Sequence, residues 1–138
     1  MYKLLEFKAL PIINENDTVA TEEIKVGDND TLSAMVAVNI NADLLILLSD
    51  IDGLFTAAPH TDPNAKLISV VSEINDDILT LGGGEGSTLG TGGMRTKLNA
   101  ALICTENNCD MIIANGEDPD ILYDIVEGKA VGTRFIKR

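Results

Sequence analysis

The sequence predicts an α/β fold in which helices cover both faces of a mainly parallel sheet, and three observations carry that reading. Two short apolar segments, DLLILLSD and DMIIAN, read as strands buried on both faces, as strands of parallel sheets are. Each follows a segment whose apolar residues fall at helical spacing. Seven of the twelve glycines lie between Gly82 and Gly93, directly ahead of the second such helix, where an α/β protein places a ligand-binding turn. Helices alternating with apolar strands give a layered α/β sheet rather than a bundle or a β-sandwich. At 138 residues the chain is the size of one domain.

The opening residues MYKLLEFKAL form a helix-like lead, and Pro11 to Asn14 (PIIN) is a short β-prone run. Thr18 to Val26 alternates enough to make a hairpin or extended flap. Leu32, Met35, Val36 and Ile40 then sit near helical spacing, with Asp30 as N-cap and an end near Asn41. The strand through Leu44 to Leu48 closes on Ser49 and Asp50, and a turn follows at Asp52-Gly53. Ala57 to Ala65, with Pro59 and Pro63, is loop, and LISVVSEI is a second extended segment. Met94, Leu98, Ala101 and Leu102 mark one face of a helix over Met94 to Asn107, and Asp110 to Asn115 is the next strand. Asp118 to Glu127 reads as a helix with Pro119 in its first turn, and GTRFI as a final strand.

Composition excludes several function classes. A formal net charge of −12 with only ten scattered basic residues argues against nucleic-acid binding, which needs clustered cations to neutralise phosphates. The longest apolar run, Leu44 to Leu48, is far short of a membrane span, and no signal-peptide pattern opens the chain; a cytoplasmic protein is expected. Cys104 and Cys109, remote from His60, match no zinc spacing and read as reduced thiols.

Three features bear chemistry. In GEGSTLGTGGMRTK, Gly92 and Gly93 stand directly before a helix, so backbone N–H groups at its positive end and Lys97 one turn inside would cradle a phosphate. Three residues separate Gly93 from Lys97, so this is not a Walker A loop, and a plain flexible loop with an ordinary helix lysine is the competing reading. Ser49 and Asp50 lie at the carboxyl end of a buried strand, where open α/β sheets bind ligands and where polar groups would meet a ribose or adenine edge; they would equally serve to end the strand. NENDTVATEEIKVGDNDTLSA, from Asn14 to Ala34, groups its Asx residues at both ends, as two rims of a pocket or as a solvated acidic face. Asp17 and Asn29 suit a substrate ammonium, and Asp30 suits a phosphate-binding lysine. Neither GDND nor SDIDG supplies the ligand series of a calcium loop. His60, in a proline-bearing loop, reads as surface rather than catalytic.

Together PIINENDTVATEEIKVGDNDTLSA, LLILLSDIDGLFTAAP, GTGGMRTKLNAA and EGKAVGTRF resemble, in order and spacing, the glutamate 5-kinase branch of the amino-acid kinase superfamily. The resemblance runs from about Pro11 to Phe135. It implies a three-layer αβα sandwich of the amino-acid kinase (carbamate kinase-like) fold, incomplete at its amino-terminal side. It implies transfer of phosphoryl from ATP, with Mg²⁺ carried by the nucleotide, to the side-chain carboxylate of L-glutamate, the first step of proline synthesis. By the same resemblance Asp17 and Asn29 bind glutamate, and Lys97 and Asp30 are the catalytic pair, Asp30 organising lysines and Lys97 near the transferring phosphoryl. Ser49 and Asp50, with Thr91, Gly92, Gly93, Met94, Arg95, Thr96 and Lys97, line the ATP site. Ser49 stands where the family often has threonine. A homo-oligomer is expected.

The family's first strand, with its phosphate-contacting lysine, a glycine-rich loop and a serine on the glutamate side, has no counterpart in this sequence. Lys3 and Lys8 do not supply them. The expectation is a single partial kinase domain over residues 1–138, with no carboxyl-terminal PUA domain and weak or no activity alone. The rival readings are a non-catalytic nucleotide-binding or assembly module, and another amino-acid kinase such as a uridylate or acetylglutamate kinase.

Overall fold

A computed structural model describes residues 1–14, 28–83 and 92–138. Its elements, in chain order, are α1 (Tyr2–Glu6), α2 (Asn29–Asn39), β1 (Leu44–Ser49), β2 (Val70–Val71), α3 (Asp76–Leu81), α4 (Gly92–Glu106), β3 (Asp110–Asn115), α5 (Ile121–Val126) and β4 (Thr133–Phe135). The strands form one sheet in the order β1-β3-β4-β2. β1 and β3 run parallel from Leu44 opposite Asp110 to Ser49 opposite Asn115, and β2 and β4 are parallel, while β3 and β4 are antiparallel. The predicted hairpin or flap over Thr18 to Val26 lies outside the described residues.

Alternation along the strands builds two cores. Leu47, Met111, Ile113 and Phe135 face Ala34 and Ala37 of α2 and Leu98 and Ala101 of α4. On the opposite face Ile112 and Ala114 pack with Ile125 of α5, and Leu44 and Ile46 lean on them. That is the three-layer αβα arrangement expected from the sequence. α2 and α4 also pack against each other, and the alanines they bury there are small enough for close approach.

β3 is buried throughout its first five residues, as DMIIAN predicts. β1 departs from expectation: only Leu47 is fully buried and Leu48 is 43% exposed. The reason is topological, since β1 has a described neighbour on one side alone and forms the sheet's edge. PIIN forms no strand, and only Val70 and Val71 of LISVVSEI pair. α3 is a helix that the apolar spacing does not predict, capped by the Asn75 side chain, which accepts from Ile78 N at 3.0 Å. α5 starts later than predicted because Asp118 folds its own Asx turn, accepting from Asp120 N at 3.0 Å, which leaves Pro119 outside the helix.

The cap of α2 also differs. Asp28, not Asp30, is the N-cap, its carboxylate accepting from Thr31 N at 2.6 Å and Thr31 Oγ1 at 2.9 Å. Asp30 occupies the first turn and is free to point elsewhere. The helix ends at Asn39, close to the predicted stop, and α1 is tied to it by Tyr2 Oη, which donates to Ile40 O at 2.6 Å.

Two glycines fix the turns beneath the sheet's ligand-facing end. Gly132 has φ +65°, and a side chain there would fall on the Ile113 carbonyl. Gly53 lies against Thr133, whose buried hydroxyl accepts from Leu54 N at 2.8 Å and donates to Ile68 O at 2.6 Å. Thr133 thereby stitches the segment after β1 to β4.

Candidate functional site

β1 ends on Ser49 and Asp50, where the Ser49 hydroxyl donates to Asp50 Oδ1 at 3.1 Å. Beside this end lies a cavity of about 670 Å³, bounded by Ser49 and Asp50, by Gly93, Met94 and Lys97 of α4, by the turn after α3, and by the loop from Ala57 to Asp62. The sheet's carboxyl end, a helix start and a loop therefore meet, as the topology of open α/β sheets requires of a ligand site. No acidic residue occupies the first turn of α4, where the positive end of its dipole lies.

Lys97 is the central cation of this site. Its Nζ donates to Asp30 Oδ2 at 3.1 Å and to Oδ1 at 3.4 Å, with the two side chains 14% and 21% exposed. The predicted association of these residues is thus seen across 67 positions of sequence. An ammonium has three protons, so the pair leaves Lys97 able to donate toward the cavity it lines. Thr96 Oγ1 reaches the same carboxylate, 2.7 Å from Asp30 Oδ2.

Asn29 takes a different direction from its neighbour. It lines a second cavity of about 470 Å³ between α2, β1 and the segment from Pro11 to Asn14, whose polar end holds Asn14, Asn29 and Ser33 and whose remainder is apolar. The first turn of α2 is thus the partition between the two cavities.

The structure brings Ser49, Asp50, Gly93, Met94 and Lys97 to one cavity and sets Asp30 behind Lys97. Arg95 is exposed, and neither it nor Thr96 is among the walls; Gly92 begins the helix. Asp17 and Thr91 lie outside the described residues. The loop through His60 forms a wall that residue-by-residue reading leaves as mere surface, although its position just after the carboxyl end of β1 is the signal that marks it. Among the described residues no cluster of three or more His, Cys, Asp or Glu side chains is suited to holding a metal.

Comparison with known proteins adds to this geometry. The amino acid kinase family model matches residues 1–115. Proteins named glutamate 5-kinase match closely: that of Caldanaerobacter subterraneus subsp. tengcongensis is 53% identical over 96% of this chain and 36% of its own length. Those of Symbiobacterium thermophilum and Deinococcus radiodurans are 55% and 57% identical over 98% and 92% of this chain, and 51% and 35% of their own. The chain therefore spans about half or less of the length of these relatives. Among solved structures, a UMP kinase from Ureaplasma parvum superposes with a TM-score of 0.67 at 21% identity, over 99% of this chain and 51% of the other. A carbamate kinase from Giardia lamblia bound to AMP-PNP gives 0.62 at 25% identity, over 90% and 36%.

Proposed function

Because this chain belongs to the amino acid kinase family, we propose that it forms the nucleotide-binding side of a glutamate 5-kinase site, where ATP and L-glutamate give ADP and L-glutamyl 5-phosphate. The observation that carries the reading is Lys97, paired with Asp30 and lining the cavity between the end of β1 and the start of α4. Phosphoryl transfer asks a protein for positioning and charge neutralisation more than for covalent chemistry. A lysine, helix-start N–H groups and a nucleotide-borne Mg²⁺ are suited to that work, and the cavity is large enough for a nucleotide.

In this reading Ser49 and Asp50 hold the nucleoside, the start of α4 from Gly92 to Arg95 passes the phosphates, and Lys97 neutralises charge developing on the transferred group. Mg²⁺, when bound with ATP, supplies the remaining charge compensation. Asn29, with Asp17, holds glutamate in the polar end of the second cavity, so that acceptor and donor meet at the first turn of α2. The likeness to the AMP-PNP-bound carbamate kinase supports nucleotide in the first cavity. The relatives' shared name supports glutamate as acceptor.

Among the described residues Lys97 is the lysine lining the cavity. A fully equipped site needs more than one phosphate-neutralising group, each worth roughly 3 kcal/mol or more in the transition state. On this reading the 138-residue chain alone binds ATP more readily than it turns it over. Calorimetry should give ATP binding that weakens about tenfold in Lys97→Met, one decade corresponding to about 1.4 kcal/mol. Hydroxylamine trapping should give little glutamyl hydroxamate. Vigorous turnover by the chain alone, or ATP affinity indifferent to Lys97, would sink the reading.

A second reading, a nucleotide-binding assembly module without transfer activity, is favoured by β1, an apolar strand that among the described residues has a strand neighbour on one side alone. It shares the nucleotide cavity and differs in predicting self-association. Placement in the cytoplasm fits an enzyme of amino-acid synthesis, and no described helix is long and apolar enough to cross a membrane.

A further inference from the structure

Thr96 belongs to the glycine-helix segment expected to line the nucleotide, yet it is not among the residues around the cavity. Its hydroxyl has one proton and two acceptors within reach: Asp30 Oδ2 at 2.7 Å and the Gly93 carbonyl, one turn back in its own helix, at 2.9 Å. A helical threonine ordinarily satisfies itself on such a carbonyl. Here an ionised carboxylate from another helix lies closer, and a hydrogen bond to a charged acceptor is about twice as strong as one to a neutral acceptor. Thr96 and Lys97 are consecutive residues of α4, and both converge on one carboxylate of α2.

We propose that Thr96 is a positioning residue: it donates to Asp30 and holds that carboxylate against Lys97, rather than serving as a ligand of the nucleotide. A carboxylate bound by Lys97 alone could turn about its side-chain torsions and follow the lysine's flexible stem. The second bond, from a short side chain fixed to the helix, removes that freedom. Lys97 then stands at a set distance from α2 and from the cavity it lines. The catalytic meaning of this clamp rests on the kinase reading given above, whereas the clamp itself is independent of it.

The test uses the full chain and two readouts. The first is the rate at which Lys97 is acetylated by limiting acetic anhydride, followed by mass spectrometry with the exposed Lys3 as internal standard. The second is ATP affinity by calorimetry. Thr96→Val should speed labelling of Lys97 about fivefold, as loss of one hydrogen bond to a charged group allows. Thr96→Ser should restore the original rate, and ATP affinity should stay within about twofold in both variants. Unchanged labelling in Thr96→Val overturns the inference. So does an ATP affinity that falls about tenfold in Thr96→Val and returns in Thr96→Ser, since that marks a direct ligand. Thr96→Ala, which removes the hydroxyl and raises helix propensity, provides the same comparison if valine disturbs folding. If the unmodified chain fails to bind ATP, the kinase reading falls, and the labelling rates still decide the clamp because they need no nucleotide.

Discussion

At the scale of single residues, the chain uses buried titratable groups that have nothing to do with the cavity. Cys104 and Cys109 are both fully buried, and Cys109 N donates to Cys104 O at 3.0 Å around Asn108, whose φ is +60°. This is the helix ending in which residues five apart pack on each other, and here both packing residues are cysteines. Burial first, then the neighbouring Cys109, push the Cys104 thiol up to about 12. Its ordinary value is 9.0, so the folded form keeps its proton where the unfolded form loses it. The stabilisation is whole below the ordinary value and disappears as pH rises from about 9 toward 12. Asp110 behaves in the opposite sense. Burial raises its carboxyl, but the Lys137 N–H at 2.9 Å and the Arg134 guanidinium outweigh that and hold it below its ordinary 3.8. Its contribution is complete above that value and is lost as pH falls through the depressed one. Melting temperatures should therefore decline at both extremes, with the alkaline decline reduced in Cys104→Ala and the acid decline in Asp110→Asn. Asp30 shows what sequence cannot settle at this scale. In GDND both aspartates qualify as caps, and the choice is made by Lys97, 67 residues away, which takes Asp30 and leaves the cap to Asp28.

At the scale of elements, β3 and α4 were legible because their apolar residues are buried as their spacing says. The sequence misleads at β1, where five consecutive apolar residues signal a central strand and the sheet order makes it an edge. Pairing order depends on contacts between distant segments, and periodicity within one segment holds no record of it. α3 was missed for a different reason: six residues are too few to display a helical stripe. Its signature lies in Asn75 followed by Asp76 and Asp77, a cap with two carboxylates at the positive end of the dipole. Asn75→Ala should cost about 1 kcal/mol of unfolding free energy in urea titration. Because Leu81 and the turn after α3 border the cavity proposed to hold nucleotide, the same change should also weaken ATP binding; equal affinity in the two proteins would show that α3 is only a spectator of the site.

At the scale of the whole molecule, β1 is an edge of the sheet among the described residues. Leu48 of this strand is 43% exposed, and Leu44 and Leu45 line the apolar part of the second cavity. Such an edge pairs with another strand unless covered or charged. Light scattering should find self-association despite the net charge of −12, and Leu48→Lys should shift the chain toward monomer without changing ATP affinity. A strict monomer would remove the support for the assembly reading. The family, the layers and the pairing of Asp30 with Lys97 could be anticipated from quoted motifs, but the partition between cavities could not, because the directions of Asn29 and Asp30 depend on contacts with distant segments, Pro11 to Asn14 and Lys97. That partition is one peptide bond wide. Consecutive Cα atoms lie about 3.8 Å apart whatever the protein does, so Asn29 and Asp30 serve the two sides of this boundary from adjacent points of one backbone. If both cavities are filled as proposed, what lies between their contents is a single turn of helix.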